Sequence, residues 1–117
     1  MKTSELIGLS LDWAVVKCEC AIPAAFKSIP ALLNGSVRVF RGDISSYSEP
    51  VSPSTNWAHG GPIIEREEIA ILLEYPKSWW ATDGDVRSSG DTPLIAAMRC
   101  YVTSKLGDDV ERPEELK

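Results

Sequence analysis

Thr92-Pro93-Leu94-Ile95-Ala96-Ala97-Met98-Arg99-Cys100-Tyr101-Val102-Thr103-Ser104-Lys105-Leu106-Gly107 is the stretch from which the fold is read. Thr92 can cap a helix, because its hydroxyl accepts from a first-turn amide that has no partner inside the helix. Pro93 suits the first helical position, where an N–H would go unpaired anyway, and Gly107 suits the residue just past the end. Leu94, Ala97, Met98, Tyr101, Val102 and Leu106 then share one side of a helix over 93–106. That apolar side has to be covered by the rest of the chain.

Upstream, Leu6, Leu9, Trp13 and Val16 recur at helical spacing, with Ile7, Leu11, Ala14 and Val15 widening the face, so a helix is expected over 4–18 with Thr3 as its cap and Glu5 near its positive end. Pro23 and Pro30 interrupt the next segment and Asn34-Gly35 marks a turn, which predicts an irregular connection with at most a short edge strand. Val37-Arg38-Val39-Phe40-Arg41 reads as a half-buried strand with both arginines on its exposed side. Gly42 to Gly61 is dominated by Ser, Pro, Gly, Asp and Asn and reads as one long functional loop, with Tyr47 and Trp57 as its large aromatics. Ile63-Ile64 and Ile69 to Tyr75 read as strands, separated by a charged turn or short helical step at Glu65 to Glu68. Pro76-Lys77-Ser78 is expected to close a hairpin into Trp79 to Thr82. The order helix, strands, helix predicts an α+β fold, a small antiparallel sheet packed against two helices at about 4–18 and 93–106.

At 117 residues the chain has the length of one domain, with 107–117 as a short acidic C-terminal tail. Hydrophobic residues at 44% and charged residues at 25% exclude a disordered composition. No apolar run reaches the length of a membrane span and Met1-Lys2-Thr3-Ser4-Glu5 has no signal-peptide character, so a cytoplasmic location, inside the host, is expected. A formal charge of −5 argues against general nucleic-acid binding, which relies on Lys and Arg neutralising phosphates. Residues 107–117 carry −3 of that charge, so a local anion site elsewhere stays open.

Three strings add a resemblance. Leu11-Asp12-Trp13-Ala14-Val15 with Lys17-Cys18-Glu19, Ser54-Thr55-Asn56-Trp57 running through Gly60-Gly61-Pro62-Ile63-Ile64-Glu65-Arg66-Glu67, and Thr92 to Cys100 continuing through Leu106-Gly107-Asp108 resemble, in order and spacing, the NinX family of small tailed-phage accessory proteins. With Pro113-Glu114-Glu115-Leu116 the likeness spans nearly the whole chain. It departs at Cys20, where a glycine would close the first helix, and at Asn56, where an aspartate is common. The resemblance implies a phage accessory protein but brings no reaction or ligand to particular residues.

The chain has no GxGxxG fingerprint, P-loop, HExxH pair or nucleophile elbow. His59 is the only histidine and can be read as a general base, a ligand contact or a solvated loop residue. Cys18, Cys20 and Cys100 are odd in number and read as free thiols. A zinc site would need all three together with His59, so Cys18 and Cys100 read instead as small hydrophobes at a helix contact, and no metal or other cofactor is expected. Glu65, Glu67, Glu68, Asp83, Asp85 and Asp91 read as solvated turns rather than a cation site.

The most informative set is aromatic and polar together: Thr55, Asn56, Trp57, His59, Gly60, Gly61, Trp79, Trp80 and Arg99. Indoles stack on planar groups, a guanidinium forks onto phosphate or carboxylate, and glycine permits close approach to the backbone. The competing reading is that at least two tryptophans, Trp13 and one of Trp79 or Trp80, fill the core and that Arg99 pairs with Glu65 or Asp12. The leading expectation is a non-catalytic protein, with the long loop and the start of the 93–106 helix lining a site for a small nucleotide-like ligand, sequestered in host counter-defence. The alternatives are an adaptor that acts on a host or phage replication protein through its aromatic loop and acidic tail, and an unusual hydrolase using His59. A homodimer is expected, since small binding domains often complete a pocket at a two-fold interface.

Overall fold

The computed structural model describes residues 1–22, 28–42, 46–74, 78–113 and 116. In chain order it contains a short 3-10 turn Thr3–Glu5, α1 (Gly8–Cys20), β1 (Ser28–Leu33), β2 (Ser36–Arg41), β3 (Ser46–Tyr47), α2 (Trp57–Arg66), β4 (Ala70–Glu74), β5 (Ser78–Thr82), β6 (Arg87–Gly90) and α3 (Pro93–Leu106). The class is α+β as expected, but the strands form two antiparallel three-stranded sheets, β1-β2-β3 and β4-β5-β6, rather than one. The cause is α2: residues read as the end of a loop and as the strand Ile63-Ile64 are a helix that separates the two sheets.

In the first sheet, Asn34 and Gly35 both take positive φ and join Leu33 to its partner Ser36 in a two-residue hairpin. The segment before them, expected to be mostly irregular, is the six-residue β1. Pro30 is tolerated there because β1 is an edge strand, with a side that owes no ladder hydrogen bond. Arg38 and Arg41 do not share the exposed side of β2, since positions three apart in a strand point to opposite faces. Arg38 is half-buried and its Nη1 donates to Ser48 O at 3.3 Å, while Arg41 is exposed. In the second sheet β4 pairs with β5 as the expected hairpin, although Pro76 and Lys77 lie outside the described residues, as do Pro23, Glu114 and Glu115.

The helix α3 is the centre of the molecule. Leu94 to Met98 and Cys100 to Val102 are all buried, so it is covered on more than the single face expected. Leu11, Ala14, Val15 and Cys18 of α1, Ile63 of α2, and Ala81 of β5 complete the same core cluster, with Ile71, Trp79 and Val86 packed against it. Gly90 makes the sheet contact possible: a Cβ there would stand 2.7 Å from Ala96 N and 2.8 Å from Ile95 Cγ2.

Polar groups lock the three helices together. Arg66 donates from Nη1 and Nη2 to Glu19 at 3.1 and 2.6 Å, and Tyr101 Oη also donates to Glu19. Burial and that hydrogen bond push the Tyr101 hydroxyl well above its ordinary range, and the Glu19 bond does the same for Arg66. Lys105 reaches Glu67 at 3.1 Å.

At the N-terminus α1 starts at Gly8, later than expected, and Ile7 caps it without a side-chain hydrogen bond. Thr3 is not its cap. The Thr3 hydroxyl is buried and donates to Gly107 O at 2.7 Å, while Thr3 N donates to Asp108 O and Val110 N to Met1 O. The start of the acidic 107–117 segment is thereby strapped to residues 1–3, and Val110 enters the core. No helix among the described residues is long and apolar enough to cross a membrane.

Candidate functional site

The start of α2 is built by a tight turn. Thr55 N and Asn56 N both donate to Ser52 O, and Ser52 N donates to Nδ1 of His59 at 2.9 Å. Asn56 then caps the helix, its Oδ1 accepting from Ala58 N at 2.9 Å. An aspartate would do the same work, so the departure from the family pattern at this position leaves the cap intact. Ser54 N donates to Asp12 Oδ1 at 2.8 Å, which ties the turn to α1. Burial raises the Asp12 carboxyl above its ordinary range, against the hydrogen bonding from Ser54.

Gly60 brings this helix start against α3. A Cβ on Gly60 would lie 2.6 Å from Leu94 Cδ2 and 2.6 Å from the carbonyl oxygen of Pro53, so only glycine permits the approach. The two helices consequently open onto one cleft of about 240 Å³, lined by Ser54, Thr55 and Trp57 on one side and by Thr92, Pro93, Leu94 and Ile95 on the other. Thr92 Oγ1 accepts from Ile95 N at 3.1 Å and Ala96 N reaches Thr92 O. With Pro93 lacking an N–H, Leu94 carries the uncapped donor of that first turn among the described residues. Trp57 carries the corresponding donor of α2, since Ala58, His59 and Gly60 all bond back to Asn56.

Two further features mark the cleft. The Trp57 side chain is 54% exposed, unusual for the largest side chain and not explained by packing. Ser54 is only 2% exposed, and its hydroxyl lies beside the Asp12 carboxylate that also takes its N–H.

The remaining members of the expected set lie elsewhere. Trp79 and Trp80 are neighbours on β5 and face opposite sides: Trp79 packs on the core, and Trp80 lies beneath the Arg87 guanidinium at 4.1 Å. Trp80 lines a separate groove of about 580 Å³ with Lys2, Ser4 and Arg87, and its Nε1 is buried without a partner. Arg99 meets neither a tryptophan nor the carboxylates of Glu65 and Asp12. Its Nε donates to Leu6 O at 2.8 Å and its Nη1 to Ser89 O at 2.9 Å, joining α3 to the N-terminal segment and β6. His59 and Glu19 are the polar members of a mostly apolar hollow of about 270 Å³ lined also by Val15, Val16, Val39, Val51, Pro53 and Ile63. Gly61 has open space around it, whereas Gly60 serves packing.

Ser54, Thr92, Pro93, Leu94 and Ile95 complete the cleft although the residue pattern did not single them out as ligand contacts. The cap signal at Thr92 was visible, but its meeting with Ser54 was not. The thiols offer no reactive group: burial pushes Cys18 up to about 12 and Cys100 up to about 11, far from thiolate formation at neutral pH. Among the described residues no cluster of His, Cys, Asp and Glu could hold a metal ion.

Fold and cleft together define a small α+β protein with an opening, shared between two helix starts, that is formed by main-chain donors, hydroxyls and an indole. Such a set has the chemistry to hold a ligand. The chain belongs to the bacteriophage P22 NinX family, whose model matches residues 2–105, and is accordingly a phage accessory protein. None of the curated proteins compared with it matches the chain.

Proposed function

We propose that this phage accessory protein acts by binding, without catalysis, and that it sequesters a small nucleotide-like ligand in host counter-defence. The observation that carries the proposal is the convergence of the first turns of α2 and α3 on one cleft beside the exposed indole of Trp57. Helix starts favour anions, because their N–H groups are unpaired and the aligned peptide dipoles place about half a positive charge there. An indole face accepts a nucleobase by stacking, worth about 1–3 kcal/mol per base. Pockets that enclose a whole ligand usually measure about 300–1,000 Å³. At about 240 Å³ the cleft is smaller, so it takes one end of the ligand and leaves the rest in solvent. Titration calorimetry with linear and cyclic nucleotides tests the proposal, and the expected result is saturable binding that Trp57→Ala removes. No heat and no thermal stabilisation at millimolar concentration would end it.

A second reading is favoured by a different observation. Leu72 and Leu73 on the edge strand β4 are 52% and 57% exposed and, being adjacent, face opposite sides of the sheet. Exposed leucines on an unpaired edge suit contact with another protein, so an adaptor role rests on β4 rather than on the aromatic loop. Stoichiometric retention of one partner by the parent chain, lost in a Leu72→Lys, Leu73→Lys variant, is the result this reading expects.

A further inference from the structure

Away from the cleft, this acidic chain gathers cationic side chains in a groove of about 580 Å³. We propose that this groove, between the β5–β6 pair and the strap that joins residues 1–4 to 107–109, is a separate anion site that takes a small phosphomonoester through Arg87 and Lys2.

Strand register builds one wall. Trp80 stands opposite Ser89 and Thr82 opposite Arg87, so Trp80 and Arg87 are diagonal neighbours on one face of the β5–β6 pair. The Arg87 guanidinium lies over the indole at 4.1 Å from the ring centroid, and this stacking orients a side chain that is otherwise exposed. Its Nη2 also stands 3.5 Å from Glu74, but both partners are more than half exposed, and a solvated pair of this kind contributes little. The strap supplies the other wall. Thr3 is pinned to Gly107 and Asp108, and Lys2 bridges Asp109 through its main chain, which fixes the backbone at Lys2 while its side chain stays exposed.

Two carboxylates line the same groove. Asp109 is already paired with the Met1 amine at 2.9 Å, which leaves Asp108 alone against Lys2 and Arg87 among the described lining residues. An anion is therefore the ligand that gains, and a phosphomonoester gains most, because it carries close to two charges at neutral pH and three acceptor oxygens. The guanidinium can fork onto two of these oxygens, Lys2 adds a point charge, and Ser4, Ser89 and Thr103 bring hydroxyls to the same groove. A carboxylate, with two oxygens and one charge, engages fewer of these donors. The volume falls in the range of about 300–1,000 Å³ usual for small-molecule sites, which leaves room for the group that the phosphate esterifies.

The test titrates the full chain with phenyl phosphate and with benzoate, which presents a carboxylate on the same ring, followed by calorimetry and by the backbone amide signals of Arg87 to Ser89 in NMR spectra. Phenyl phosphate should bind at least about tenfold tighter than benzoate, and its affinity should fall several-fold from about 50 to about 300 mM salt, as pairing between exposed charges does. The affinity should also fall from about pH 8 to about pH 5, as the second proton, with a pKa of about 6, returns to the phosphate. Arg87→Gln should weaken binding by at least about tenfold and Lys2→Gln by several-fold, both with unchanged far-UV circular dichroism. Asp108→Asn removes the opposing carboxylate and should tighten binding by about threefold, a gain that a merely structural role for Asp108 would not produce. Equal affinity of Arg87→Gln and the parent, weaker binding by Asp108→Asn, benzoate binding as tightly as phenyl phosphate, or undisturbed amides at Arg87 to Ser89 overturns the proposal. Phenyl phosphate binding that is lost in Trp57→Ala places the anion in the cleft between α2 and α3, which overturns the groove and leaves the reading of that cleft standing. No binding of either probe at millimolar concentration removes the groove as an anion site and does not bear on the cleft.

Discussion

Behind its capping Thr92, α3 carries eight buried residues, whereas α2, opened by the equally good cap Asn56, buries only Gly60 and Ile63. Both helices begin with a side-chain oxygen bonded to a first-turn amide, so the local chemistry of the two starts is the same. Their anchorage differs. The longer helix is held by core burial and by Arg99 on two carbonyls, and α2 by the fit of Gly60 against Leu94 and Pro53, the Ser54 to Asp12 bond, and Arg66 on Glu19. The difference teaches that a cleft can be made from one rigid wall and one wall kept in place by a few specific contacts. Removing those contacts one at a time shows which wall gives first.

The largest effect is expected at the rigid wall. Arg99→Met leaves the carbonyls of Leu6 and Ser89 without their donor, and since hydrogen bonds to charged groups contribute about 1.5–3 kcal/mol each, urea unfolding should show a loss of about 3 kcal/mol. A loss below about 1 kcal/mol would mean that burial alone holds α3.

Gly60→Ala comes next. Its methyl meets a main-chain oxygen that cannot move aside cheaply, and overpacking of this kind costs about 1–3 kcal/mol. The neighbouring Gly61→Ala, with nothing within reach of the added methyl, should be neutral or stabilising by up to about 1 kcal/mol, because alanine favours helix over glycine. Equal behaviour of the two variants would show that α2 does not sit tightly on α3.

A smaller effect, about 1 kcal/mol, is expected for removing either cap. Thr92→Ala should appear as a global loss in unfolding, because α3 lies within the core. Asn56→Ala should appear mainly as faster hydrogen exchange in the first turn of α2 and a changed Trp57 emission. Identical global losses would erase the contrast between the walls.

The smallest is a pH effect at Asp12. Burial raises its carboxyl in the folded state, so the fold favours the protonated form; this contribution is complete below the ordinary carboxylate range and is lost as pH rises through the raised value. Asp12→Asn keeps an oxygen for Ser54 N and has no proton to lose. Relative to the parent, the variant should therefore gain stability as pH rises from the ordinary carboxylate range through the raised value. A parallel pH dependence of the two proteins would contradict the burial argument.

α3 was legible to the residue because cap, proline, apolar spacing and terminal glycine all agree within one segment. α2 was not: Gly60, Gly61 and Pro62 are helix breakers by local preference, and only the tertiary fit at Gly60 and the cap at Asn56 overrule them. The site divided in the same manner. Thr55 and Trp57 do line a cleft with the start of α3, while Trp79, Trp80 and Arg99 go to the core, to Arg87 and to main-chain carbonyls.

From residue order alone came the α+β class, the helix at 93–106, the β4–β5 hairpin and the kinship with a phage family, all features set by local propensity, alternation or contiguous strings. The split into two sheets, the release of Thr3 from capping to the Gly107 carbonyl, and the meeting of two helix starts were decided only in three dimensions. Each of these depends on which distant groups come within hydrogen-bonding or van der Waals range, and that information is carried by the packed core rather than by any single segment.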